Sequence, residues 1–279
     1  MSSDNHIKLG ILKYSPTPSI SPLMHRIFME KLGVDGSYES FSVSPSELEE
    51  FMSGDEITSL NGFNVTIPHK QSITGFMHSL TPEAKAVGAV NTVAVREGKN
   101  IGHNTDTTGF KKAVEMLELE LTGNDVLLYG AGGAARAVVF TLGNLGVSKI
   151  YVCNRSRTHA LALSELLSSS TNETELVVLD ESGEIPSSPK ILFNALGGGV
   201  FVANWLENLS YLNFFFDLNY GKNAFDKTLL NEGVGYSDGL SMLVYQGIES
   251  LKFWLDKEIP DDGLTESVIT ELNGEILIG

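Results

Sequence analysis

The sequence predicts an α/β protein of two lobes, the second of them doubly wound. Three observations carry that expectation. The chain has 279 residues, more than a single domain usually holds. Short apolar segments alternate with stretches of helical length from one end to the other, with no internal repeat. One glycine-rich loop stands between an apolar strand pattern and a helix pattern.

In the first lobe, IKLGIL, YESFSV and FNVTI read as strands, and VNTVAV pairs with NIGHNT. Pro22 after Ser21 suits the first turn of a helix that runs to Gly33. Ser44, Pro45 and Glu47 form a capping-box pattern for a helix reaching about Gly54. A further helix starts near residue 106 and gives way to the turn LTGND. The second lobe then runs DVLLY, glycine loop, a helix through LGNLG, the strand KIYVC, and a helix over RTHALALSELL. Apolar strands VVLD, KILFNA and NFFFDL follow, with ESGEIPSSPK as a surface connection. LSMLVYQGIESLKFWL reads as a buried helix, and another starts near Leu264. These boundaries divide the chain into residues 1–106, 107–238 and a C-terminal helical part, 239–279, that returns to the first lobe.

Composition limits the function. Nineteen basic residues against thirty-five acidic ones give a net charge of −16, which repels phosphate backbones and anionic lipid. No nucleic-acid or membrane partner is therefore expected. No apolar run approaches the roughly 20 residues that span a bilayer, and the N-terminus lacks the basic-then-apolar order of a signal peptide. A cytoplasmic protein, monomer or homodimer, is the expectation. Cys153 is the single cysteine and ends an apolar strand, so it reads as a buried small hydrophobe. The six histidines show no metal-ligand spacing, and no metal is expected.

The glycine loop is Gly130-Ala131-Gly132-Gly133-Ala134-Ala135. Gly130 permits the tight turn, Gly132 lets backbone approach a pyrophosphate, and Ala135 packs helix on strand. Where NAD-binding chains place a carboxylate for the ribose, this chain has Asn154, then Arg155, Ser156 and Arg157. Guanidinium groups welcome a 2′-phosphate, which favours NADP over NAD. A solvated helix start is the plain alternative, but cations at a helix N-terminus oppose the dipole.

The first lobe gathers polar groups at strand ends: Thr66 and Lys70 after FNV, Asn91 before TVAV, and Asn104-Thr105-Asp106 after NIGH. Ligands of α/β folds bind beyond such ends. Together these stretches resemble the shikimate dehydrogenase family, in matching order over nearly the whole chain. The resemblance implies a substrate domain and a Rossmann NADP-binding domain. It implies catalytic roles for Lys70 and Asp106. Ser19 and Ser21 would hold the substrate carboxylate, with Thr66, Asn91, Tyr220 and Gln246 as further substrate contacts. The cofactor would meet Gly130, Ala131, Gly132, Gly133, Ala134, Asn154, Arg155, Ser156, Arg157 and Gly239. Gly239, Met242 and Gln246 resemble the family's closing helix, and Asp217 to Tyr220 its D-x-x-Y segment. The chain departs from the pattern at Pro18, where histidine is common, and at Leu196 before three glycines. It also lacks the proline usual after the tyrosine motif and has His159 in place of a further basic residue.

The implied reaction is reversible, NADPH-dependent reduction of 3-dehydroshikimate to shikimate in aromatic amino acid biosynthesis. A lysine beside a carboxylate is a ready proton donor to the developing alkoxide. Two alternatives stay open: a quinate/shikimate dehydrogenase using NAD or both cofactors, and a non-catalytic sensor of ring acids with the same fold.

Overall fold

The computed structural model describes residues 6–14, 18–169, 172–179, 185–197, 211–260 and 263–278. These form two compact units, residues 1–109 with 244–279, and residues 110–243.

The first unit opens with β1 (Ile7–Lys13) and α1 (Ser21–Leu32). Pro22 lies in the first turn of α1, and Gly33 ends the helix in the left-handed conformation at φ 62°. β2 (Gly36–Ser42) runs parallel to β1. Two short helices follow, α2 (Leu48–Ser53) and α3 (Asp55–Ser59). Half of the anticipated capping box is present: the Ser44 amide donates to the Glu47 carboxylate at 2.8 Å. The helix itself begins only at Leu48. β3 (Gly62–Val65), wholly buried, pairs parallel with β1.

Next come the two-residue β4 (Ser79–Leu80) and α4 (Pro82–Val87), whose N-cap Thr81 accepts from the Ala84 amide. β5 (Thr92–Arg96) and β6 (Lys99–His103) form a hairpin through Glu97 and Gly98, both at positive φ. A two-residue turn forces antiparallel pairing, and β5 is also antiparallel to β3. The sheet order β2-β1-β3-β5-β6-β4 is thus mixed, where the strand–helix alternation alone suggested a largely parallel sheet.

The second unit is all parallel. α5 (Asp106–Met116) leads to β7 (Asp125–Tyr129), then α6 (Gly133–Asn144), β8 (Lys149–Cys153) and α7 (Arg157–Leu161). The helix expected over RTHALALSELL tightens after Leu161 into a 3₁₀ segment, Ala162–Ser169. There the Ser164 hydroxyl bonds the Leu161 carbonyl three residues back, a local competitor of the α-helical ladder. β9 (Glu175–Val178), β10 (Ile191–Asn194), β11 (Phe214–Asp217) and the short β12 (Gly235–Ser237) complete the order β12-β11-β10-β7-β8-β9. Strand order reverses between β7 and β10, the switch point of a doubly wound sheet. β10 is buried at every residue, as a strand covered on both faces must be. Leu127, Tyr129, Cys153, Leu192 and Phe215 pack on one side, while Phe110 meets Phe193 and Phe216 edge-on at 5.2 and 5.9 Å between ring centroids.

The chain closes with α8 (Leu240–Leu255) and α9 (Leu264–Ile278). Trp254 of α8 donates its indole N–H to the Val93 carbonyl at 2.8 Å, and Lys31 of α1 pairs with Glu271 of α9 at 3.1 Å. Residues 244–279 therefore share the core of residues 1–109.

Candidate functional site

Three strand ends meet in the first unit because β5 runs against its neighbours. The amide of Val65, last in β3, donates to the Asn91 carbonyl at 2.8 Å, and the Asn91 amide donates to the His103 carbonyl at 3.1 Å. The finish of β3, the start of β5 and the finish of β6 thus lie side by side. The Val90 amide donates to the Lys70 carbonyl at 2.7 Å and fixes the turn after β3.

On this frame the Lys70 ammonium donates to Asp106 Oδ2 at 2.7 Å, with side chains 14% and 6% exposed. A pair so nearly dry is a weak source of stability, since both ions lose hydration. Its location in the polar cluster points to chemistry. Asp106 opens α5, where the positive end of the helix favours a carboxylate. Its Oδ1 accepts from Asn91 Nδ2 at 2.8 Å. The same Asn91 nitrogen lies 2.9 Å from Thr105 Oγ1 and 3.2 Å from Gln246 Oε1, and Asn91 Oδ1 accepts from the Thr105 amide at 2.8 Å. Lys70, Asp106, Asn91 and Gln246, distant in sequence, therefore form one hydrogen-bonded group. Asn104 is wholly buried and donates to the Ala89 carbonyl at 2.9 Å.

The remaining substrate candidates are placed by other means. The Ser19 hydroxyl donates to Ser21 Oγ at 3.1 Å and accepts from the Ser21 amide at 3.2 Å. The N-cap residue of α1, Ile20, makes no side-chain cap bond, and the Ser19 hydroxyl takes the amide of the first helical residue instead. Thr66 is half-buried, its amide held by the Leu12 carbonyl at 3.0 Å. Sequence reasoning did not anticipate Asn64, Ser250, His25 and Tyr38, which join Thr92 and Thr105 in the same buried polar network. The polar positions inside apolar runs, Asn64 in GFNV and Ser250 in GIESL, were the available signal.

In the second unit the glycine loop follows β7 at the switch point. Gly130 has φ 102°, and a Cβ there would stand 2.9 Å from the Ala195 carbonyl carbon after β10. Protein packing alone requires that glycine. Gly132 caps α6, is exposed, and would meet nothing within 4 Å if it carried a Cβ. Its bareness leaves open space before the α6 amides, as a pyrophosphate needs. Ala135 is fully buried against the sheet. After β8, Asn154 Nδ2 donates to the Ser156 carbonyl at 2.8 Å, and Ser156 Oγ accepts the His159 amide as N-cap of α7. Arg155 and Arg157 are exposed, and Arg155 has no ion-pair partner among the described residues. These residues fit a dinucleotide with a 2′-phosphate.

Two resemblance-derived residues have structural reasons of their own. A Cβ on Gly239 would lie 2.1 Å from the Leu218 carbonyl oxygen, so backbone approach requires glycine there. Asp217 is fully buried and accepts from Asn194 Nδ2, Asn219 amide and side chain, and the Phe225 amide at 2.6–3.1 Å. It ties β10 to the segment after β11. Tyr220 follows in this unit, and burial raises the pKa of its phenol. The Cys153 thiol is buried, its pKa pushed up to about 12 by desolvation. Gly198 and Gly199, in the departing loop after β10, lie outside the described residues.

A parallel doubly wound sheet with this loop, in one chain with a lysine–aspartate pair, defines a two-unit α/β protein of the dehydrogenase type. The models for the shikimate dehydrogenase substrate binding domain and for shikimate / quinate 5-dehydrogenase match residues 15–93 and 111–220. The chain is 33% identical over 280 residues to the NADP(+) shikimate dehydrogenase of Caldanaerobacter subterraneus subsp. tengcongensis, covering 98% of this chain and 100% of that one. Shikimate 5-dehydrogenase of Thermus thermophilus, solved with NADP(H) and shikimate, is 30% identical with a TM-score of 0.74, covering 95% and 99% of the two chains. Ligand-free 5-ketofructose reductase of Gluconobacter sp. strain CHM43 is 28% identical with a TM-score of 0.77, covering 97% and 100%. The chain belongs to the shikimate dehydrogenase family.

Proposed function

We propose that this chain is an NADP-dependent shikimate dehydrogenase that reduces the ring ketone of 3-dehydroshikimate to shikimate. The observation that carries the reading is the 2.7 Å contact of Lys70 with Asp106 inside the Asn91–Gln246 network. Reduction of a ketone needs a hydride at carbon and a proton at oxygen. NADPH supplies the hydride when bound. Lys70 supplies the proton to the developing alkoxide, and its Nζ is aimed by Asp106, itself held by Asn91. In the reverse direction the same amine receives the proton. Asp106 also offers an acceptor to a ring hydroxyl, with Thr66, Asn91, Gln246 and Tyr220 as further contacts. Ser19 and Ser21 present paired hydroxyls for the carboxylate. With the cofactor bound, the backbone of Gly130 to Ala134 would hold the pyrophosphate, Gly239 would be a further cofactor contact, and Asn154, Arg155, Ser156 and Arg157 would hold the adenosine ribose and its 2′-phosphate.

A sensor needs no proton donor, whereas here the lysine–aspartate pair is intact. The test is NADPH absorbance in the presence of 3-dehydroshikimate, with 3-dehydroquinate and 5-ketofructose alongside. Rapid oxidation with the first substrate alone is expected. Binding without turnover would mean a sensor, and faster turnover of another ketone would reassign the substrate.

A further inference from the structure

The lysine–aspartate pair stands at one end of a buried hydrogen-bond network, and the far end of that network has no role in the reaction as described so far. Asn64 on β3 is 6% exposed. Its Nδ2 donates toward the Asn91 carbonyl at 3.2 Å, Thr92 Oγ1 at 3.1 Å and Ser250 Oγ at 3.1 Å. Its Oδ1 faces the Tyr38 hydroxyl at 2.8 Å and His25 Nε2 at 3.1 Å. The backbone carbonyl of Asn91 can only accept, so it must face the amide nitrogen and not the oxygen. Asn64 Oδ1 then points at Tyr38 and His25, and both must donate.

That requirement fixes the imidazole. His25 carries its proton on Nε2, and its Nδ1 is buried with no hydrogen-bond partner. Full burial lowers the imidazole pKa to about 3 and keeps the ring neutral. Tyr38 stacks on that ring with centroids 4.5 Å apart and planes 12° apart, and Trp254 closes another side at 5.2 Å. At the near end, the Thr105 amide and the Thr92 hydroxyl both donate to Asn91 Oδ1, at 2.8 and 3.1 Å. Asn91 Nδ2 is thereby turned to Asp106 Oδ1, and Oδ2 is left to Lys70.

We propose that Tyr38 and His25 are positioning residues for the Lys70–Asp106 pair: two fixed donors that lock the Asn64 amide, which in turn holds the Asn91 segment against Asp106. The inference rests on the dehydrogenase reading for its kinetic test only.

Tyr38→Phe keeps the ring and its stack and removes one donor. It should lower kcat about five- to twentyfold and change KM for 3-dehydroshikimate by no more than about twofold. In an Asn64→Ala or Lys70→Ala background the same substitution should have no further effect, because the route to the reaction is already cut. His25→Gln, which can present an N–H toward Asn64, should retain most of the turnover that His25→Leu loses. Full, additive losses in both backgrounds would overturn the proposal. A second readout needs no turnover: in nitrogen-15 spectra of histidine-labelled intact protein, the His25 ring, assigned by the signals that His25→Gln removes, should be neutral and Nε2-protonated from about pH 5 to 8, as should His69, whose Nε2 donates to the Val43 carbonyl at 2.7 Å. A His25 ring protonated on Nδ1 overturns the clamp whatever the substrate. A wild-type chain inert toward 3-dehydroshikimate sinks the functional reading instead, and the tautomer then decides the clamp alone.

Discussion

At the scale of single residues, Lys70 and Arg155 make the sharpest demands. Lys70 is nearly buried and bonded to one carboxylate, so no side chain in its hydrogen-bonded group is placed to replace it as proton donor. Lys70→Ala should lower kcat about 100-fold or more with a much smaller change in KM, measured by steady-state NADPH oxidation; unchanged turnover would remove the lysine from the chemistry. Arg155 is exposed without an ion-pair partner among the described residues, in a chain of net charge −16. Its loss costs the fold little. Arg155→Ala should lower kcat/KM for NADPH roughly 30- to 150-fold and leave NADH nearly untouched, since only NADPH carries the 2′-phosphate. Equal losses for both cofactors would place the guanidinium elsewhere, against the adenine or the loop.

Elements decide which residues can meet. Asn91 starts a strand while Lys70 and Asp106 follow the ends of strands, and they converge because β5 is antiparallel to β3 and β6. The hairpin was legible as VNTVAV paired with NIGHNT. The consequence for the site was not, because a chain written in one direction does not display which strand end faces which. The glycines divide in the same way. Gly130 and Gly132 share one motif, yet the first is fixed by the Ala195 backbone and the second stands in open space. Gly239 follows the first case. Gly239→Ala should destabilise the protein, with no cofactor present, by about 1–3 kcal/mol or more, because a Cβ cannot share space with the Leu218 carbonyl. Thermal melts of the apo variant test this; an unchanged melting temperature with weakened NADPH binding would instead make Gly239 a cofactor contact alone.

Across the molecule, burial couples the network to acidity. His25 titrates near 6.5 when unfolded and at about 3 when folded. Between those values the unfolded chain holds the extra proton and the folded one does not, so stability rises with pH across this window and levels off above it. The slope is at most about 1.4 kcal/mol per pH unit for one such group. Urea denaturation of wild type and His25→Gln from about pH 4.5 to 7.5 should show the wild type losing stability more steeply as pH falls. Parallel curves would mean that His25 escapes desolvation, through water or a mobile α1. No described helix is long and apolar enough to cross a membrane.

The amino-acid sequence by itself determined the α/β class, the glycine loop after β7, the polar ends of β3 and β6, and the basic residues that follow β8. Each of these is written in local pattern: apolar period, turn chemistry, or charge set against the composition. Tertiary structure alone decided that Asn64, Thr92, Thr105 and Ser250 belong to one network with Lys70 and Asp106, and that His25 and Tyr38 close its far end. The physical reason is hydrogen-bond satisfaction. A buried amide or hydroxyl must find its partners wherever the fold brings them, here up to 186 positions apart. Residue type announces that such a need exists; only the packed chain determines which group meets it.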